Sequence, residues 1–152
     1  MKRLLAAGAF AVLITGCGND TVDGEPGGLD AAESPVARYD WSSSDVGMQA
    51  LLEGTLELRD GCLVVNPSWD NTPPDTFVVP VLPRKYTSWD ASRKVLTFGG
   101  VDYEMGDAIA AGGGWGPPTS DTEIPSTCEP DAYGDVMRVQ DTSLAPMRER
   151  GY

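Results

Sequence analysis

Turn-forming residues interrupt this chain so often that no long helix has room to form. Twelve prolines and eighteen glycines make up about a fifth of its 152 residues, and they remove backbone donors and raise the entropic cost of regular structure. Between them lie short apolar runs, several with a period of two. Thr55-Leu56-Glu57-Leu58-Arg59 alternates apolar with polar, Asp60-Gly61 supplies a turn, and Cys62-Leu63-Val64-Val65 follows as a buried run. That pattern predicts a hairpin. Residues 76–82 predict a further strand in which Pro80 cannot donate to a ladder, so it points to an edge or a bulge. Residues 94–98 and 101–105 flank Gly99-Gly100 as a second hairpin, residues 107–111 add a strand before Gly112-Gly113-Gly114, and residues 136–139 close the set. Helical potential is confined to a turn or two over residues 45–52, weakened by Gly47. Six or so strands in roughly 100 residues predict a mostly β domain, either a small antiparallel barrel of OB-like type or a sandwich.

The same composition narrows the chemistry. The chain has no histidine, which removes Ser-His-Asp and Cys-His catalysis, two-histidine zinc sites and the commonest general base near neutral pH. Acidic residues outnumber basic ones 23 to 11, so the clustered cations that neutralise phosphate are missing and nucleic acid is not an expected partner. No phosphate loop, nucleophile elbow or dinucleotide fingerprint occurs, and no metal or cofactor is expected. Asp20-Thr21-Val22-Asp23-Gly24-Glu25 has the composition of a calcium loop without its alternating ligands.

Met1-Lys2-Arg3 gives the chain a positive start, and residues 4–14 form an apolar run too short to span a bilayer comfortably. The run ends in Ile14-Thr15-Gly16-Cys17, an aliphatic residue, two small residues and a cysteine. This resembles the lipobox of bacterial lipoproteins. The resemblance implies that residues 1–16 are a signal peptide and that the Cys17 thiol receives a diacylglycerol through a thioether. Cys17 would then be the first mature residue, and its acyl chains, palmitate among them, would hold the protein to a membrane of the bacterial cell envelope. An ordinary secretory signal is the alternative. Removal of Lys2 and Arg3 deepens the net charge of −12 by two, which excludes a polybasic lipid-binding role.

With Cys17 lipidated, Cys62 and Cys128 are left as a pair in a compartment where disulfides persist, and a bond between them is expected, with two free thiols as the alternative. Residues 17–40 are mostly Gly, Asp, Glu, Pro, Ala and Ser and read as a lipidated flexible tether. The β domain is expected over residues 41–141 and a polar tail over 142–152. The order Gly61-Cys62-Leu63-Val64-Val65, Pro80-Val81-Leu82-Pro83, Trp89, Gly106-Asp107 and a triple glycine resembles small extracytoplasmic proteins of actinobacterial type. That resemblance implies no activity.

Two groups of residues could carry function. Asp102 and Glu104 lie two apart on a strand, a spacing that would let a carboxylate pair act in glycoside hydrolysis, although a chain this acidic also makes such pairs as a solvated face. The tryptophans offer the second group. Ser68-Trp69-Asp70 and Ser88-Trp89-Asp90 repeat a tripeptide, and Gly112-Gly113-Gly114-Trp115-Gly116-Pro117-Pro118 places another indole between glycines and stiffening prolines. Trp115, with Gly113 and Gly114, is the candidate ligand-binding loop, able to present a flat face to a sugar ring or a partner's apolar pocket. Each tryptophan could instead fold back as a lid on the core. The expected function is a lipid-anchored envelope protein whose β module binds an envelope protein or glycan and is not an enzyme. The alternatives are a small carboxylate-dependent hydrolase of envelope glycans and a surface protein without a defined ligand.

Overall fold

The computed structural model describes residues 34–42, 47, 49–128 and 136–145. Cys17, the leader and the calcium-like segment lie outside these residues. The described residues form ten strands and one 3-10 turn, Arg84–Tyr86, with no α-helix. The strands are β1 (Arg38–Tyr39), β2 (Ala50–Arg59), β3 (Cys62–Pro67), β4 (Val79–Pro83), β5 (Thr87–Asp90), β6 (Val95–Phe98), β7 (Val101–Tyr103), β8 (Ala108–Trp115), β9 (Thr122–Glu123) and β10 (Val136–Val139). The helical turn expected over residues 45–52 gives way to β2 from Ala50 onward. There Leu52, Leu56 and the residues between them follow a strand period, with both leucines buried.

Seven strands pair in the order β3-β2-β8-β10-β4-β1-β9, and β5-β6-β7 form a second sheet. Both expected hairpins are present. β2 and β3 pair from Gly54 opposite Pro67 to Arg59 opposite Cys62. Asp60 and Gly61 both adopt positive φ, 49° and 83°, which a two-residue turn needs if its twist is to match the strands. The large sheet curls back on itself because Val78, just before β4, exchanges two backbone hydrogen bonds with Val65 of β3, at 2.8 and 2.9 Å. The five strands β3, β2, β8, β10 and β4 therefore make a partly open, OB-like ring. It is not a closed barrel, since a single bridge joins β3 to β4. Nor is it purely antiparallel as expected, because β4 runs parallel to both β10 and β1.

Past that bridge β3 and β4 diverge, and residues 35–39 fill the interval. The Leu63 N–H donates to the Pro35 carbonyl at 2.8 Å and the Leu82 N–H to the Ala37 carbonyl at 2.9 Å. Residues 35–39, expected to belong to a tether ending at residue 40, are therefore part of the fold. The tether's polar composition masks Val36, Ala37 and Tyr39, whose strand period puts Val36 into one core and the other two into a second. Pro80 fits the same logic. Val78 and Leu82 donate toward β3 and β1 respectively, so the donor missing at Pro80 faces the interval between those two partners. β4 is thus internal to the sheet, with a local gap where the sequence predicts an edge or a bulge.

The main core lies between the ring and the small sheet, which makes the arrangement sandwich-like. Leu52, Leu56, Leu63, Val65, Ile109 and Met137 meet Trp89, Leu96, Phe98 and Tyr103 across it. The second core covers the outer face of the ring, where Val64, Val79, Val81 and Val136 pack under Ala37, Tyr39 and Phe77. The expected disulfide stands in this second core, with Cys62 and Cys128 Cα atoms 4.9 Å apart. Closing a loop of 66 residues stabilises the fold by about 4 kcal/mol on the chain-entropy model. The tail expected from residue 142 also joins the fold. Leu144 is buried, its carbonyl accepts from Ala110 at 2.8 Å and its N–H donates to the Tyr103 hydroxyl at 3.2 Å.

The triple glycine is the largest departure from expectation. β8 does not end before Gly112 but runs through all three glycines to Trp115, between β2 and β10. A Cβ added at Gly113 would stand 2.1 Å from the Arg138 carbonyl oxygen of β10, whereas one at Gly112 would meet only an Asp141 carboxylate oxygen at 3.8 Å. Backbone closeness is what requires glycine here. Gly113→Ala should therefore cost about 1–3 kcal/mol in urea unfolding, while Gly112→Ala should cost under about 0.5 kcal/mol. Equal effects at the two positions would remove this account of the glycines.

Candidate functional site

Trp69 and Trp115 come from chain segments far apart in sequence and meet at the surface. Their ring centroids are 5.8 Å apart and their planes cross at 70°, an edge-to-face pair. Exposure separates them from the other member of the tripeptide repeat: Trp69 is 38% and Trp115 36% exposed, against 8% for Trp89. Trp89 is a core residue, in contact with the cluster that contains Leu96 and Phe98.

Local backbone chemistry holds each indole in place. Trp69 follows β3, and the Ser68 N–H donates to the Glu53 carbonyl of β2 at 3.0 Å. The Trp69 carbonyl then accepts from the Thr72 hydroxyl at 2.6 Å and from its N–H at 3.3 Å, closing a turn in which Asn71 takes a positive φ of 62°. Asparagine tolerates that region better than most residues. Trp115 is the last residue of β8, opposite Met137 of β10, so its backbone is fixed by a ladder. An edge-to-face contact adds about 0.5–1.5 kcal/mol beyond area burial.

Gly113 and Gly114, the other expected ligand contacts, are buried in β8. The close approach that the triple glycine implies is made by the chain's own β10, and the surface feature is Trp115 with Trp69 in place of Trp115 on a glycine loop. Sequence reasoning singled out both indoles and missed their pairing. The Ser-Trp-Asp repeat linked Trp69 to Trp89 instead, and nothing local separates the exposed copy from the buried one.

Beyond Trp115 the chain turns at residues 119–122, where the Thr122 N–H donates to the Thr119 carbonyl at 2.9 Å. The Thr119 hydroxyl donates to Asp121, and chiefly for that reason the Asp121 carboxyl is held below the usual carboxylate range. Arg138 flanks this turn from the opposite face of β10 to Met137. Its Nη1 is 3.4 Å from the Thr119 hydroxyl, and a Cβ at Gly116 would stand 2.9 Å from its Nη2.

Of the two carboxylates considered for hydrolysis, that of Asp102 is engaged elsewhere. Asp102 accepts from the Thr97 hydroxyl at 2.6 Å and pairs with Arg93 at 3.5 Å, while the Glu104 backbone N–H donates to an Asp107 carboxylate oxygen at 2.8 Å. Both acids are exposed, Asp102 on β7 of the small sheet and Glu104 just past its end. Asp90 shows how such carboxylates serve as turn staples. It accepts from the Ser92 hydroxyl and from Arg93, and those bonds, Ser92 first, hold it far below the ordinary range. Among the described residues no cluster of three or more His, Cys, Asp or Glu side chains is placed to hold a metal ion, and no helix is long and apolar enough to cross a membrane. Comparison with protein-family models, with curated proteins and with solved structures finds no match for this chain.

A pH titration tests the turn beside Trp115. A carboxyl whose folded pKa is depressed adds stability above its unfolded pKa and loses it as pH falls through the folded value. Carboxyl-carbon NMR should give Asp121 a midpoint below the ordinary aspartate value, and Thr119→Val should move it upward. An unchanged midpoint in Thr119→Val would assign the depression to another cause.

Proposed function

We propose that this protein is a lipid-anchored component of the bacterial cell envelope whose β module binds an envelope component through the Trp69–Trp115 pair. The observation that carries the reading is the pair itself. Two indoles held by a ladder and a hydrogen-bonded turn stay more than a third exposed, although the chain buries Trp89 and every other large aromatic of its main core. Aromatic side chains fixed in this way bury large area on a partner at low entropic cost, the property that makes them binding hot spots.

Anchoring rests on Ile14-Thr15-Gly16-Cys17 behind its basic and apolar leader. The Cys62–Cys128 disulfide is consistent with an oxidising compartment outside the cytoplasm. The tether left to the module is shorter than the composition implies, because residues 34–39 are built into the sheet.

The anchor and the module are tested separately. Cys17→Ala should leave an uncut precursor without acyl chains by intact mass, and cleavage elsewhere with Cys17 unmodified would refute the anchor. For the module, the double variant Trp69→Ala/Trp115→Ala should lose on the order of 2 kcal/mol or more of binding to a solubilised envelope fraction, with folding stability falling by no more than about 1–2 kcal/mol. Undiminished retention of envelope material by the double variant would refute the binding module. A collapse in stability would show that the pair is a lid on the core.

A further inference from the structure

Three other aromatic rings of this fold each have one of its own cations beside them. The Arg59 guanidinium lies 3.7 Å from the Phe77 ring centroid, and the Lys85 ammonium lies 5.0 Å from Trp41 and 4.8 Å from Tyr86. These are distances at which a cation is drawn to the negative face of an aromatic ring. Among the described residues no lysine or arginine lies over Trp69 or Trp115. Arg138 projects from the face of β10 opposite to Met137, the residue paired with Trp115, and is directed to the Thr119 hydroxyl at 3.4 Å.

The two chain segments that carry the indoles hold acidic charge only. Residues 66–76 and 112–123, which carry the two indoles, contain Asp70, Asp75, Asp121 and Glu123 and no lysine or arginine. Glu123 is committed to Arg84 and Arg38, and Asp121 to Thr119. Asp70, next in sequence to Trp69, is exposed, and neither it nor Asp75 takes part in an ion pair among the described residues. The whole chain carries a net charge of −12, which draws cationic partners and repels anionic polymers. Two ring planes crossing at 70° form a corner, the kind of surface that receives an ammonium group against one face while a nearby carboxylate balances its charge.

We infer that the Trp69–Trp115 corner docks a lysine side chain from a basic polypeptide segment of a partner, with Asp70 as its counter-charge. This rests on the binding-module reading above and adds the chemical class of the occupant. A neutral glycan would stack on the same rings but would gain nothing from Asp70 or from the net charge.

Titration of the full chain with octalysine, followed by indole fluorescence, tests the inference. Octalysine should bind, its fully Nε-acetylated form should bind at least tenfold more weakly, and Trp69→Ala and Trp115→Ala should each weaken octalysine binding about tenfold. Trp115→Phe should retain most of the affinity, and Asp70→Asn should weaken it severalfold. Equal octalysine affinity in the wild type and both alanine variants would overturn the inference, since attraction would then come from net charge alone. Tryptophan-dependent binding of the trisaccharide of N-acetylglucosamine without tryptophan-dependent binding of octalysine would overturn the cationic occupant and leave the binding module standing. Failure of the module itself would appear instead in the envelope-fraction experiment, as equal retention by wild type and double variant.

Discussion

The seam between β3 and β4 is closed by backbone that comes from outside the ring. Two hydrogen bonds, Leu63 to Pro35 and Leu82 to Ala37, convert a partly open five-stranded ring into a continuous surface, and the rest of the structure depends on that insertion. Without it, the donors of Leu63 and Leu82 would face a gap lined by fully buried side chains, and each unsatisfied buried group costs about 1–3 kcal/mol. The inserted segment also joins the two cores. Val36 enters the layer shared with the small sheet, while Ala37 and Tyr39 cover Val64, Val79 and Val81 on the other side. Tyr39 reaches across to donate to the Val139 carbonyl at 2.6 Å.

That insertion has a functional consequence. In a partly open OB-like ring the outer face of the neighbouring strands is available for ligands, but here the outer face of β3 and β4 is occupied by residues 37–39, Phe77 and the Cys62–Cys128 bond. The exposed indoles are carried elsewhere, at the end of β8 and the turn after β3. The same packing that hides one face leaves the tryptophan pair on the other, supported by strands that cannot shift without breaking the β8–β10 ladder. Gly113 sets how closely that ladder packs, and so fixes the height at which Trp115 emerges.

Local pattern made the hairpins legible. Asp60-Gly61 and Gly99-Gly100 carry their turn conformation in their own side chains, or the lack of them, so strand, turn and strand could be read without tertiary information. The disulfide followed from counting cysteines. Three boundaries were not legible, each for the same reason. Residues 34–39, the run through Gly112 to Gly114, and Leu144 are strands or buried positions only because another part of the chain lies against them. Their composition, taken alone, is that of a linker, a loop and a tail. The candidate site shows the same limit. Trp69 and Trp115 each stand out in sequence, but their contact depends on where β3 and β8 end in the assembled ring, and the local repeat of Ser-Trp-Asp favoured the wrong companion.

The four tryptophans provide their own internal controls for the claim that function resides at one end of the ring. Trp89 lies in the main core, Trp41 lies beside Lys85, and Trp69 and Trp115 form the exposed pair. A proton–nitrogen NMR spectrum resolves one indole N–H signal from each. On addition of a solubilised envelope fraction, the Trp69 and Trp115 signals should shift or broaden together, while those of Trp89 and Trp41 stay in place. Perturbation of Trp41 or Trp89 with an unmoved Trp69–Trp115 pair would contradict the account, since the surface that meets the envelope would then lie elsewhere on the fold.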